Sequence, residues 1–154
     1  MTKDALARLK SMGFRQAGCW SLVDDRLRID FGDDELARAS NFLYAFVANG
    51  HVTYIGKSTQ KVRERMGGYR NPGPTQSTNI RNNERIRLAR ARGETVELFV
   101  LPDNGLLYYG GFHVNLAAGL EDSLIRDLAP EWNGGKKSDG SPPELPAAPF
   151  AVGE

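Results

Sequence analysis

Apolar positions recur along the chain with three periods, and each period predicts an element. Leu6, Leu9 and Met12 stand at helical spacing after Thr2, and Gly13 ends that helix. Trp20 and Leu22, then Leu27, Ile29 and Phe31, alternate in and out around Asp24-Asp25, the pattern of a β-hairpin. Asp33 to Ser40 is acidic and long enough for one or two helical turns. Phe42 to Val47 is a dense apolar and aromatic run, hence a strand, and Val52 to Ile55 is its return strand after Asn49-Gly50. Val62 to Tyr69 reads as a helix frayed by Gly67-Gly68, and Asn71 to Ser77 as a loop rich in Pro and Gly. Ile80 to Arg92, capped at Thr78 or Asn79 and ended by Gly93, is the next helix. Val96 to Leu101 is a short buried strand. Pro102 to Val114 is rich in glycine and aromatics and predicts no regular element. Leu116, Leu120, Leu124 and Leu128 form an i, i+4 stripe that Pro130 stops.

These elements predict a small α/β (α+β) domain. Its sheet is mixed, mainly antiparallel and three-stranded, made of the Phe42 to Ile55 hairpin and the Val96 to Leu101 strand, with helices 62–69, 80–92 and 116–128 around it. Residues 1–40 form an N-terminal helix and β-hairpin appendage, 41–134 the core, and 135–154 a tail. Half of the eight prolines fall between Pro142 and Pro149, which predicts a mobile tail. The appendage could cover a sheet edge, form a dimer arm or serve as a recognition element.

Composition narrows the classes. The 154 residues are 40% hydrophobic and 25% charged, the profile of a globular protein. No apolar run approaches the roughly 20 residues of a membrane span. Met1 to Lys10 is charged and amphipathic, without the apolar core of a signal peptide, so the expected compartment is the cytoplasm. One cysteine excludes an internal disulfide framework, and with two histidines it supplies too few soft ligands for a zinc site. The net charge of +1 conceals a segregation. Lys57 to Arg92 holds ten Lys/Arg and two Asp/Glu, a local +8, and the rest holds ten basic and seventeen acidic residues, a −7. A one-sided basic segment is a footprint for a polyanion or a solvated helix face.

Three features carry candidate chemistry. Tyr44 and Tyr54 lie on one hairpin. A three-residue loop, Ala48-Asn49-Gly50, would pair Val47 with His51 and Tyr44 with Tyr54, and so put both phenols on one face, whereas a two-residue loop would put them on opposite faces. The three-residue loop is expected here, with Gly50 in the left-handed region. Arg65 and Tyr69 share one face of the following helix, with Val62 and Met66 toward the core. Glu121 sits on or beside the apolar stripe of the last helix, where a carboxylate needs a cation, a hydrogen-bond cluster or a metal. There is no P-loop, no dinucleotide fingerprint and no Ser/His/Asp spacing.

In order along the chain these pieces are Leu43-Tyr44, Tyr54-Ile55-Gly56-Lys57-Ser58, Val62-Arg63-Glu64-Arg65-Met66 with Tyr69, Leu120-Glu121-Asp122-Ser123-Leu124-Ile125, and Pro130-Glu131-Trp132-Asn133. The series resembles the GIY-YIG nuclease superfamily, and its Tyr54-Ile55-Gly56-Lys57 start and its Leu120 to Ile125 and Pro130 to Asn133 end look like the nuclease domain of the bacterial excision-repair protein UvrC. The resemblance covers Phe42 to Asn133, about three fifths of the chain, and rests on the joint order of motifs that are individually weak. Phe42 stands where the family has its first glycine. The segment from Gly56 to Val62 is one residue longer than in UvrC, which makes Arg63 a rival to Arg65. Arg65 is preferred because Val62 and Met66 flank it as the family's apolar pair does. Pro102 to Val114 has no counterpart in the short family core.

The resemblance implies a metal-dependent endonuclease that hydrolyses phosphodiester bonds in DNA, in repair, restriction or the processing of mobile elements. The alternative is a nucleic-acid-binding module that keeps the fold and does not cut. The implied catalytic set is Tyr44, Tyr54, Lys57, Arg65, Tyr69, Glu121 and Asn133. Tyr44 or Tyr54 would be the base, Arg65 would stabilise charge on the phosphoryl oxygens, and Asn133 would orient substrate or fix a tyrosine. Glu121 would hold one Mg²⁺ (or Mn²⁺) per active site, since a hard cation that keeps its waters needs few protein ligands. Lys61, Arg63, Arg70, Asn79, Arg81, Arg85 and Arg87 are the expected nucleic-acid contacts, with double-stranded DNA favoured over RNA and no membrane partner. A sequence-specific cutter of both strands would need a homodimer, and a nicking enzyme would not.

Overall fold

The computed structural model describes residues 2–103 and 105–134. The predicted tail, 135–154, lies outside the described residues. Among the described residues, five helices and seven strands follow one another as α1 (Thr2–Met12), β1 (Arg15–Val23), β2 (Arg26–Phe31), α2 (Asp34–Arg38), β3 (Ser40–Ala48), β4 (His51–Lys61), α3 (Val62–Arg70), α4 (Ser77–Ala91), β5 (Val96–Pro102), β6 (Tyr108–Tyr109), β7 (Phe112–His113) and α5 (Leu116–Leu128). No helix among the described residues is long and apolar enough to cross a membrane.

The main sheet is wholly antiparallel, in the order β2-β1-β5-β3-β4. It has five strands where the sequence predicts three, because the N-terminal hairpin is built into it. Residues Arg15 to Cys19 of β1 pair with Val100 to Glu97 of β5. That pairing covers the free side of β5, and it explains why Ala17 and Trp20 are buried. The segment around residues 105–114 forms a separate two-stranded hairpin, β6-β7.

β3 lies between β5 and β4, and helices cover both of its faces. Every residue from Phe42 to Ala48 is buried, as its continuous apolar run requires. Phe42, Tyr44 and Phe46 join the core beneath α2, α3 and α4. Leu43, Ala45 and Val47 join a second core beneath α1 and α5.

The β3-β4 connection corrects one expectation. Ala48 pairs with His51, so the loop is the two-residue Asn49-Gly50, with φ of 52° and 83° as a primed turn demands. The register then shifts between Val47↔Val52 and Phe46↔Tyr54, which leaves Thr53 as the extra residue of a β-bulge. The bulge moves the alternation by one position and returns Tyr54 to the face of Tyr44. Both phenols therefore share a face, but Tyr54 pairs with Phe46, and Tyr44 pairs with Gly56.

Candidate active site

The site forms where the two helical layers meet at β4, an edge strand. Gly56 makes the first contact there. A Cβ at this position would lie 2.7 Å from both Cζ and Oη of Tyr44, so only glycine lets the phenol lie across the strand. Tyr44 is thereby directed at α3, and its hydroxyl meets that of Tyr69 at 2.6 Å. Arg65, one turn earlier on α3, donates from Nη2 to Tyr69 Oη at 2.8 Å and from Nη1 to Asn79 Oδ1 at 3.1 Å. Its guanidinium carbon lies 4.3 Å from the centroid of the Tyr69 ring. Tyr54 lies half-buried beside them, its ring centroid 6.1 Å from that of Tyr44.

Burial pushes the Tyr44 phenol well above the usual tyrosine range, Tyr69 and Tyr54 add to the shift, and Arg65 opposes it. Tyr54 is pushed up in the same way, by burial first and then by Tyr69, again against Arg65. Glu121 adds a smaller upward push on Tyr54, which places its carboxylate within electrostatic reach of the phenol cluster.

Glu121 arrives from the other layer. Leu120, Leu124, Ile125 and Leu128 seat α5 on the second core, as the stripe predicts, and this turns Glu121 toward β4. Lys57 Nζ donates to Glu121 Oε1 at 3.1 Å, and the carboxylate side chain is only 19% exposed. Lys57 and Arg65 both border a cleft of about 350 Å³ that also includes Ser58, Asn41 and the first turn of α5 at Ala117 and Ala118. Two cations from different layers thus face one concavity.

Asn133 reaches β4 from beyond α5. Its Oδ1 accepts from Ile55 N at 2.8 Å, and its Nδ2 donates to Ile55 O at 2.9 Å. Trp132 N donates to Thr53 O at 2.8 Å. Asn133 therefore holds the backbone between Tyr54 and Gly56, and in doing so positions the tyrosine. The ring of Trp132 packs on Phe46, as a structural residue would.

The predicted nucleic-acid contacts divide. Lys61, Arg70 and Arg81 are exposed. Arg63 turns away from the tyrosines, to Asp34 at 3.3 Å and over the ring of Phe31, while its rival Arg65 turns toward them. Arg87 pairs with Asp25 at 2.8 Å, and Arg85 donates to Trp132 O at 2.9 Å, which ties α4 to the chain beyond α5. Asn79 is 8% exposed and lies behind Arg65. In the sequence it reads as a cap or a surface contact, because nothing local marks its partner fourteen positions away.

The chemistry of the donor set can be tested against a metal. Among the described residues no group of three or more His, Cys, Asp and Glu surrounds a common point. A lone carboxylate does not make a closed cage, but it fits a hard cation that retains most of its own water.

Solved structures similar to this chain include bacteriophage T4 EndoII, determined as a mutant, with a TM-score of 0.62 and 22% identity over 87% of this chain and 99% of that one. Restriction endonuclease HPY188I in complex with product DNA is also similar, with a TM-score of 0.52 and 14% identity over 82% of this chain and 78% of that one. The fold is the one that these two solved structures share with this chain. No family model and no curated protein matches the sequence. At these identities the likeness carries the architecture and leaves the chemistry to be argued from the residues.

Proposed function

We propose that this chain is a metal-dependent endonuclease that hydrolyses phosphodiester bonds in DNA. The observation that carries the reading is that Tyr44, Tyr69 and Tyr54 cluster about Arg65 on one face of the sheet, Lys57 pairs with Glu121 of α5, and Lys57 and Arg65 border one cleft, on a fold shared with solved nucleases. A binding module has no need to bring a guanidinium, a set of phenols and a carboxylate to one strand edge.

The roles follow from exposure and charge. Arg65 is locked by two hydrogen bonds and faces the cleft, so it stabilises the negative charge that builds on the phosphoryl oxygens. Tyr54 is the phenol that solvent reaches, and it orients the attacking water. Tyr44 is sealed and serves to align Tyr69 and Arg65. Glu121 would hold one Mg²⁺ or Mn²⁺. Once bound, such an ion supplies Lewis-acid stabilisation at the reacting phosphate. Lys57 neutralises Glu121 in the free protein and would exchange that partner for a substrate phosphate. The exposed Lys61, Arg70 and Arg81 extend the grip along the backbone of the duplex. Water adds to phosphorus, the bond to the leaving oxygen breaks, and the proton of the water passes to solvent, which also protonates the leaving oxygen. Burial keeps the Tyr54 phenol neutral, so it holds the water by a hydrogen bond and is not the base that the sequence suggests.

Supercoiled plasmid incubated with Mg²⁺ tests this reading. Wild type should produce nicked or linear DNA, and Glu121→Ala should lower the rate at least about a hundredfold while duplex binding persists. A plasmid that wild type binds and leaves intact would instead establish a module that binds without cutting.

A further inference from the structure

Asn79 and Gln76 lie outside the motifs that carry the nuclease reading, yet they link Arg65 to the loop between α3 and α4. Arg65 Nη1 donates to Asn79 Oδ1 at 3.1 Å, and Asn79 Nδ2 donates to Gln76 Oε1 at 3.1 Å. The same Gln76 oxygen accepts from Gly73 N at 2.8 Å. Each amide atom of Asn79 has one partner, so its orientation is determined.

A second observation points to the same pair. A Cβ at Gly68 would lie 3.2 Å from Asn79 Nδ2 and 3.4 Å from Arg65 Nη1, whereas a Cβ at Gly67 would meet nothing within 4 Å. α3 runs through both glycines to Arg70, and so it carries at Gly68 a helix-weakening residue whose missing side chain makes room for the amide–guanidinium contact. Tyr69 holds the other end of the guanidinium, so Arg65 is fixed at Nη1 and Nη2 by partners from two helices.

We infer that Asn79 is a positioning residue for Arg65, and that Gln76 sets Asn79 by anchoring it to the loop at Gly73. The inference rests on the nuclease reading, in which Arg65 faces the scissile phosphate. Pinning the guanidinium removes rotamers that point away from the phosphate, which favours the transition state without contributing to ground-state binding. Asn79 thus acts on turnover and not on affinity, the reverse of what a direct contact to DNA would do.

Steady-state cleavage of a duplex tests this with paired variants. Asn79→Ala should lower kcat by about tenfold to a hundredfold with KM little changed. Gln76→Ala, at an exposed position, should lower kcat by a smaller factor. Gln76→Glu should restore it, because a carboxylate oxygen still accepts from both Asn79 and Gly73. Gly68→Ala should behave like Asn79→Ala, and Gly67→Ala like wild type. A raised KM at constant kcat in Asn79→Ala would make Asn79 a DNA contact, and wild-type kcat in folded Asn79→Ala and Gln76→Ala would remove the relay; either overturns the inference. A second readout is independent of catalysis. NMR of the Arg65 guanidinium should show slowed Nη rotation in wild type that is lost in Gln76→Ala. If wild type cuts no DNA, the nuclease reading falls while this measurement still decides whether Gln76 and Asn79 immobilise Arg65, and fast rotation in wild type would sink the relay.

Discussion

The two faces of the sheet are made from one alternating run, and they are put to different uses. On the face beneath α1 and α5, β3 and β4 present Leu43, Ala45, Val47, Val52 and Ile55, packed against Leu9, Phe14 and Phe99. On the face beneath α3 and α4, the same strands present Phe42, Tyr44, Phe46 and Tyr54, and three hydroxyls with a guanidinium are inserted into the packing. The first face is apolar throughout and demands shape alone. The second must also accommodate buried hydroxyls, and those of Tyr44 and Tyr69 are satisfied by their shared hydrogen bond and by Arg65. A move of one residue along β3 therefore passes from a position that governs stability to one that governs the site.

Leu43→Ala is the strongest probe of that division. It should cost about 2–5 kcal/mol of stability, read as a lowered urea midpoint, while cleavage per folded molecule stays at the wild-type level. Activity that falls faster than the folded fraction would show the faces to be coupled. Gly56→Ala should follow, at about 1–3 kcal/mol, because the new methyl group collides with the Tyr44 ring. This substitution should also lower cleavage, and a stable, fully active variant would break the argument for the glycine. The smallest effect is alkaline. Burial raises Tyr44 and Tyr54, so the folded protein keeps these phenols neutral where an unfolded chain ionises them, near pH 10. Their contribution to stability is intact below that pH and declines above it. Urea midpoints between pH 8 and pH 11 should show the decline, and a flat profile would argue that the phenols are less enclosed than their packing indicates.

The contrast also explains what could be read from the chain. α5 appears with its predicted limits, Leu116–Leu128, because a leucine stripe and a following proline are local signals. The shared face of Tyr44 and Tyr54 was legible in outcome but not in cause: the loop has two residues, and the bulge at Thr53 restores the parity that a three-residue loop would have provided. Bulges depend on cross-strand fit and leave no periodic mark. The pairing of β1 with β5 was hidden for a similar reason, since alternation shows that a strand exists without showing its neighbour. Among the candidate site residues, Arg65 was separable from Arg63 by its apolar flanks. Asn79 reads from the sequence as a helix cap or a nucleic-acid contact, because its burial comes from the packing of α4 on α3.

The Asn133 clasp on β4 has a consequence for solution behaviour. β4 ends the sheet, and the outward amide and carbonyl of Ile55 would otherwise be open to another strand. Asn133 occupies both groups, and Trp132 N occupies the carbonyl of Thr53, so a few residues after α5 substitute for a sixth strand. The same clasp that steadies Tyr54 thereby blunts a template for intermolecular β-pairing, and removing the Asn133 amide would put colloidal stability at risk together with the geometry of the cleft.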